Sequence, residues 1–304
     1  MKKHIPQILL IISMLVFGTI AVFVKNIKLS SGIDLSSQEL ALYRAVLASV
    51  LIALFLIITK QKFEFSKIKK EVPLLLISGI AMGINWILLF QAYKYTTVSV
   101  ATLSYYFAPV IVTIACPILF KEKLTKKQII CFIFSTVGLA LITGIGDLSQ
   151  GKNHLIGILF GLGAACFYAT VIIMNKYIKN VAGVQRTFLQ FLAAIIILLP
   201  YVLLTSKINI MSLTKVSWIN LLIVGLVHTG ITYCLYFTAL KDLPGQKAAI
   251  LSYIDPLVAV LMSVFVLSEE ITFVQIIGGI LILGFTLYNE INLAEVVKKT
   301  PIEQ

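Results

Sequence analysis

The sequence is short of what a soluble enzyme or a nucleic-acid binder is built from. Only 12% of its 304 residues are charged, and Asp and Glu together number 13. Three histidines occur, none spaced from another as paired metal ligands on one helix face. The four cysteines, Cys116, Cys131, Cys166 and Cys234, fall in apolar runs and form no Cys-x-x-Cys pair. That argues against a zinc site or a disulfide framework and leaves them as small buried hydrophobes. A glycine-rich phosphate loop is missing too, so no cofactor is expected. The net charge of +12 would suit a polyanion, but the lysines lie in short stretches between apolar runs. Membrane topology and anionic lipid headgroups explain that spread better than a nucleic-acid groove.

What the chain has in abundance is hydrophobic length. Hydrophobic residues make up 59% of it, and apolar runs recur from end to end. Each run is about 20 residues long, enough to cross a hydrocarbon core of about 30 Å. Ten spans follow, near 5–24, 39–59, 73–93, 97–119, 127–146, 155–175, 186–205, 217–239, 247–267 and 272–291. Backbone polar groups find no water in lipid and no barrel alternation is present, so the spans are expected to be helices. Pro73, Gly151, Gly183, Pro244 and Gly245 mark or adjoin the turns between them. Lys2-Lys3 before Ile5 to Val24 is similar to a signal peptide. The run is long and no small-x-small cleavage site follows, so it is expected to stay as the first helix.

Basic residues set the orientation. Eighteen of the 25 fall in one set of loops, including Lys60, Lys62, Lys67, Lys69 and Lys70, then Lys121, Lys123, Lys126 and Lys127. The opposite loops hold six: Lys25, Lys28, Lys94, Lys152, Lys207 and Lys215. By the positive-inside rule both termini are expected to be cytoplasmic.

The chain also repeats itself. A shift of 147 residues aligns Gly83 with Gly230, Phe90 with Phe237, Ala101 with Ala248, Tyr106 with Tyr253 and Pro109 with Pro256. It continues through Glu122 with Glu269, Thr125 with Thr272 and Gln128 with Gln275. A shift of 151 aligns Thr19 with Thr170 and Lys25 with Lys176. Chance apolar similarity does not hold a proline, a glutamate, a threonine and a glutamine in one register. Residues 1–146 and 147–304 are therefore expected to be two five-helix halves. An odd number of spans per half inverts the second half in the membrane, an arrangement typical of alternating-access transporters with a midplane site.

Pro109 followed by Glu122 and Thr125, and Pro256 followed by Glu269 and Thr272, resemble the paired pattern of EamA-type transporters in the drug/metabolite transporter superfamily. Phe17-Gly18 ending in Lys25, and Tyr168-Ala169 ending in Lys176, are similar to the family's aromatic-small openings of helices 1 and 6. Trp86 and Ala92-Tyr93-Lys94 fit its helix 3, while Phe17 stands where tryptophan is common. The resemblance covers nearly the whole chain. It implies an all-α membrane fold of ten helices in two inverted halves. It also implies export or exchange of amino acids or related small metabolites across a bacterial plasma membrane.

The residues expected to carry function are polar groups stranded in apolar spans. Asp255 lies roughly 12 Å into the ninth span at 1.5 Å per residue, where an unpaired carboxylate costs a few kcal/mol. It either binds a proton, an ion or a cationic group, or caps the half-helix that Pro256 begins. In the first half Pro109 has no such acid, since Ala108 stands at the matched position. Arg44, in the second span, either snorkels to the outer surface or binds a carboxylate or Asp255 itself. Gln190 is its counterpart in the seventh span. His228 titrates near neutral pH but also fits as packing between helices. Trp86, Tyr105, Tyr106, Tyr233, Tyr236 and Tyr253 flank the same spans, as core or as a substrate box. Asn85, Gln91 and Asn175 serve equally as interhelical hydrogen-bonding groups. Glu122 and Glu269-Glu270 are placed at water level as helix ends or gates. Recurrent glycines, such as Gly79 and Gly83, allow close helix packing or rocking.

The expectation is a non-enzymatic carrier of a small molecule, in contact with lipid and open to proton coupling through Asp255. A membrane-embedded lipid-modifying enzyme is the alternative, but it needs a converging acid, base or metal set. A channel or scramblase would need a pore loop or a polar stripe facing lipid.

Overall fold

The computed structural model describes residues 5–31, 35–61, 65–120, 125–143, 151–181, 183–206, 210–243 and 251–299. Lys2, Lys3, Lys62, Lys121, Glu122, Lys123, Lys207, Pro244, Gly245, Lys247 and Ala248 lie outside them. The described residues form helices and no strand. In order these are α1 (Ile5–Ser31), α2 (Ser37–Ile58), α3 (Phe65–Tyr95), α4 (Val98–Tyr105), α5 (Ala108–Phe120) and α6 (Lys126–Thr143). Next come α7 (Gly151–Tyr177), α8 (Gly183–Thr205), a 3-10 turn at Ile210–Ser212, α9 (Lys215–Leu222) and a π-helical stretch, Ile223–Ile231. The chain continues in α10 (Thr232–Lys241), α11 (Ile254–Phe265) and α12 (Phe273–Lys299).

Seven helical stretches are long and apolar enough to cross a membrane: Ile5–Ser30, Ser37–Ile58, Ile68–Tyr95, Val98–Ala115, Lys152–Asn175, Gly183–Thr205 and Lys215–Leu240. Ile254–Phe265 and Phe273–Asn289 are shorter apolar helices. Their outward faces carry large apolar side chains, with Leu204 86% and Phe265 77% exposed, as lipid contact requires.

Local chemistry explains where helices begin. Ser36 and Glu39 close a capping box on α2: the Glu39 N–H donates to Ser36 Oγ at 3.2 Å, and the Ser36 N–H to Glu39 Oε2 at 3.0 Å. Thr97 caps α4 and Thr214 caps α9 from one side only, each side chain accepting a helix N–H. Pro109 and Pro256 both stand in the first turn of a helix, α5 and α11, where a missing N–H costs nothing.

Several boundaries differ from those read in the sequence. Pro73 lies inside α3 and ends no helix, because the helix starts at Phe65, in the lysine-rich stretch. Lys25 and Lys28 belong to α1 and Lys94 to α3, so these lysines extend helices past the apolar runs. Arg186 is inside α8 and not in a loop. The span read as 97–119 is two helices, broken at Tyr106 and Phe107. Cys131 and Cys234 are buried as expected, but Cys166 is exposed.

Packing follows the small residues. α6 lies against α12 so closely that a Cβ on Gly138 would meet the Gly278 carbonyl oxygen at 2.6 Å, and one on Gly278 would meet that of Gly138 at 2.6 Å. α3 packs on α7 and α8, α2 on α8 and the π stretch, and α1 on α9, α10 and α11. α4 packs on α7 and α11. These contacts leave a space in the middle of the helices.

Candidate functional site

That space is a cavity of about 470 Å³ whose walls come from α1, α2, α3, α4, α5, α7, α8, α10 and α11. Among the polar positions stranded in apolar spans, Asp255, Arg44, Gln190, Tyr106, Tyr253 and Asn85 all line it, together with Trp86 and Pro109. Pro256, buried in the first turn of α11, sets the backbone just behind Asp255.

Asp255 projects from the start of α11, and the Tyr106 hydroxyl donates to its Oδ2. Tyr106 stands where α4 breaks and Asp255 just after the break before α11, so this hydrogen bond joins the two interrupted helices. The capping alternative for Asp255 does not hold: Tyr253 is the N-cap of α11 and no side chain caps it. Oδ1 has no hydrogen-bond partner among the described residues and is left for the cavity. Gly18 of α1 allows the approach on the far side, since a Cβ there would meet the Asp255 carbonyl oxygen at 2.7 Å.

Arg44 does not snorkel. It is 5% exposed, and its Nε donates to Thr229 Oγ1 at 2.6 Å. Its guanidinium carbon sits 4.6 Å from the Trp86 ring centroid and 5.7 Å from that of Phe90. Such cation–π contacts contribute about 2 kcal/mol when desolvated. Nη1 and Nη2 make no hydrogen bond to a described residue, and Arg44 lines the cavity. Among the described residues the one ion pair is Lys25 with Glu269, so Arg44 and Asp255 are not directly paired. Thr229 is held in turn by the π stretch, donating to the Val224 carbonyl at 2.8 Å.

On the other side, Gln190 Nε2 donates to Ser78 Oγ and to Asn175 Oδ1, both at 2.8 Å. Asn85 Nδ2 donates to the Ala164 carbonyl at 2.7 Å, and Gln91 accepts from Ser37 Oγ at 2.7 Å. These amides tie helices together, and Gln190 and Asn85 still border the cavity. Aromatic rings in the lining pack in two groups: Phe17 and Tyr233 lie 5.1 Å apart at 73°, and Tyr105 and Tyr168 5.2 Å apart.

His228 is not among the cavity residues. Nδ1 faces the Ile223 carbonyl at 3.2 Å and Nε2 faces Thr19 Oγ1 at 2.9 Å. Both ring nitrogens therefore have partners, and the ring packs between α1 and the π stretch. Glu269 is largely covered by protein, with its side chain 12% exposed. It pairs with Lys25 and also accepts from the Val98 N–H at 2.7 Å and from Ser263 Oγ.

Sequence reasoning missed Arg186, which also lines the cavity. Its Nη1 donates to the Asn175 carbonyl at 3.4 Å and its Nε is buried without a partner. It precedes Gln190 by four residues on α8, and that spacing was the available signal. The described residues hold no group of three or more His, Cys, Asp or Glu able to bind a metal.

Described residues that form helices and no strand, with several helices long and apolar enough to span a bilayer and large apolar side chains on their outer faces, mark a multi-pass membrane protein. The sequence matches the EamA-like transporter family over residues 4–144 and 155–289, and the chain belongs to that family. It is 30% identical to the uncharacterized transporter YxxF of Bacillus subtilis, an alignment covering 100% of this chain and 96% of that relative. It is 28% identical to an uncharacterized transporter of Archaeoglobus fulgidus, over 91% of this chain and 93% of the other. A protein of known crystal structure is similar in fold, with a TM-score of 0.62 at 14% identity, over 97% of this chain and 99% of that one.

Proposed function

We propose that the protein is a carrier of small organic metabolites that works by alternating access, with the central cavity as its transport site. Ten membrane crossings, with both termini in the cytoplasm, are assigned to α1, α2, α3, α4–α5, α6, α7, α8, α9–α10, α11 and α12. Residues 1–146 and 147–304 then form two inverted halves in a bacterial plasma membrane.

The observation that carries this function is the convergence of Arg44 and Asp255, one from each half, on one cavity. Arg44 offers two unpaired guanidinium nitrogens to a carboxylate, and Asp255 offers an oxygen to a cation or a proton. Amino acids or related compounds, moved by export or exchange, fit that pair of groups. The pattern of helix contacts supports two matched halves. If each of the first five crossings is exchanged with its counterpart in the second five, the contact of α3 with α7 becomes that of α1 with α9–α10. The contact of α3 with α8 becomes that of α2 with the π stretch, and that of α1 with α11 becomes that of α7 with α4–α5. The pairs α2–α8 and α6–α12 map onto themselves. Gly83 facing Ala194 and Leu198, and Gly230 facing Leu51, repeat one close approach in the same register.

Counterflow in proteoliposomes tests the proposal. Saturable exchange of a labelled metabolite against an internal pool is expected. Flux that never saturates would point to a channel, and covalent turnover of lipid to an enzyme.

A further inference from the structure

A second cavity, of about 240 Å³, lies at the ends of α1 and α3 and the start of α2. Phe90 and Tyr93 are the lining residues it shares with the central cavity. The boundary between the two falls at one level on all three helices. On α1, Ala21 lines the central cavity and Val24 the smaller one; on α2, Arg44 lines the first and Leu40 the second. On α3, Trp86 borders only the central cavity and Lys94 only the smaller one, with Phe90 and Tyr93 between them. Four residues of helix rise about 6 Å. The cavities therefore follow one another along the same helices, and about one turn separates them.

Side chains close that turn. Phe90 is 2% and Tyr93 7% exposed, and their ring centroids lie 6.4 Å apart at 45°. A ring in an ordinary core is held by close packing on every side. These two have open volume on either side, so a change of rotamer has space to move into. From the central side Phe90 is held by Arg44, whose guanidinium carbon lies 5.7 Å from its centroid. The same cation lies 4.6 Å from the Trp86 centroid, one turn earlier on α3. A contact of this kind is lost when the guanidinium swings to another partner. A ligand group that draws Arg44 into the cavity therefore loosens Phe90. The Glu269 bonds, by contrast, hold α1, α4 and α11 to one another, so breaking them frees whole helices.

We infer that Phe90 and Tyr93 form a side-chain gate on the substrate path, with the smaller cavity as the vestibule beyond it and Arg44 as the latch. This rests on the proposed transporter function and orientation, which put the vestibule on the outer side. A solute seated on Arg44 has the gate beside it, so binding and opening are coupled through one guanidinium.

Thiol labelling in oriented membranes tests the gate. With the native cysteines replaced, Ser252→Cys places one thiol in the central cavity, behind Phe90 and Tyr93. Phe90→Ala should speed its reaction with an impermeant reagent from the outer face about tenfold and leave the rate from the cytoplasmic face unchanged. Phe237→Ala is the control: Phe237 aligns with Phe90 at the shift of 147 residues but lines the central cavity only. Both its rates should stay as they are. Arg44→Gln keeps the ring and removes the latch, and should speed the outer reaction about fivefold, the worth of one cation–π contact. If Phe90→Ala does not fold, Phe90→Leu reads the same direction with a smaller change. No acceleration, equal acceleration in the two phenylalanine variants, or acceleration from the cytoplasmic face alone overturns the inference. An unchanged rate in Arg44→Gln overturns the latch. The labelling needs no solute, so counterflow measured alongside separates the claims: a gated cavity without exchange sinks the transporter proposal and leaves the gate.

Discussion

Arg44 and Asp255 show how far a single residue can be read from sequence. A charge in an apolar span is costly, so each stood out and each borders the cavity. What could not be read was the partner. Arg44 rests on Thr229 and Trp86, 185 and 42 positions away, and neither contact leaves a local pattern. Arg186 stands at the first position of the apolar run read as 186–205 and so counts with the preceding loop, whereas α8 begins at Gly183. Two predictions belong at this scale. Arg44→Lys keeps the charge but loses the fork; one charge-assisted hydrogen bond is worth about 2 kcal/mol, so transport efficiency should drop roughly thirtyfold. Initial-rate uptake in proteoliposomes checks this, and the variant should still elute as a monodisperse protein. Asp255→Asn cannot take up a proton. If Asp255 couples transport to protons, the pH dependence of uptake flattens in the variant while binding measured at one pH persists. An unchanged pH profile would show that coupling lies elsewhere.

At the scale of elements, hydropathy found where helices are but not how they are broken. An apolar run has the same composition whether or not its backbone is continuous, so the interruption at Tyr106–Phe107 was invisible except through Pro109. The residue before proline disfavours helical geometry, and both breaks lie within a few residues of their prolines. The π stretch had no signal, and its Thr229 and Thr232 hydroxyls each bond a carbonyl five residues back. Glycine spacing was more informative. Gly138 and Gly278 touch backbone to backbone, and no side chain there can move aside. Gly278→Leu should therefore cost about 3 kcal/mol, seen as a lowered melting temperature in detergent. Gly284→Ala is the control, because a Cβ there meets nothing within 4 Å, and its melting temperature should not fall.

At the scale of the whole molecule, the repeat read in the sequence suggests two matched halves, and the helix contacts support that proposal. The inequality of the halves was legible too, as Asp255 against Ala108. Less legible was the tie across the two halves at one end, where Glu269 holds Lys25 of α1 and the Val98 N–H at the start of α4. A carboxylate that joins α1, α4 and, through Ser263, α11 by directional bonds resists small displacements and must release them together. Alternating access needs a closure of that kind on each side in turn. The cavity itself then has to be reachable from both faces of the membrane, though not at once. Ser252 lines it and is suited to a reporter cysteine. With the native cysteines replaced, Ser252→Cys in oriented membranes should react with an impermeant thiol reagent from either face, and a transported solute should slow both reactions. Reaction from one face alone, with or without solute, would contradict alternating access through this cavity.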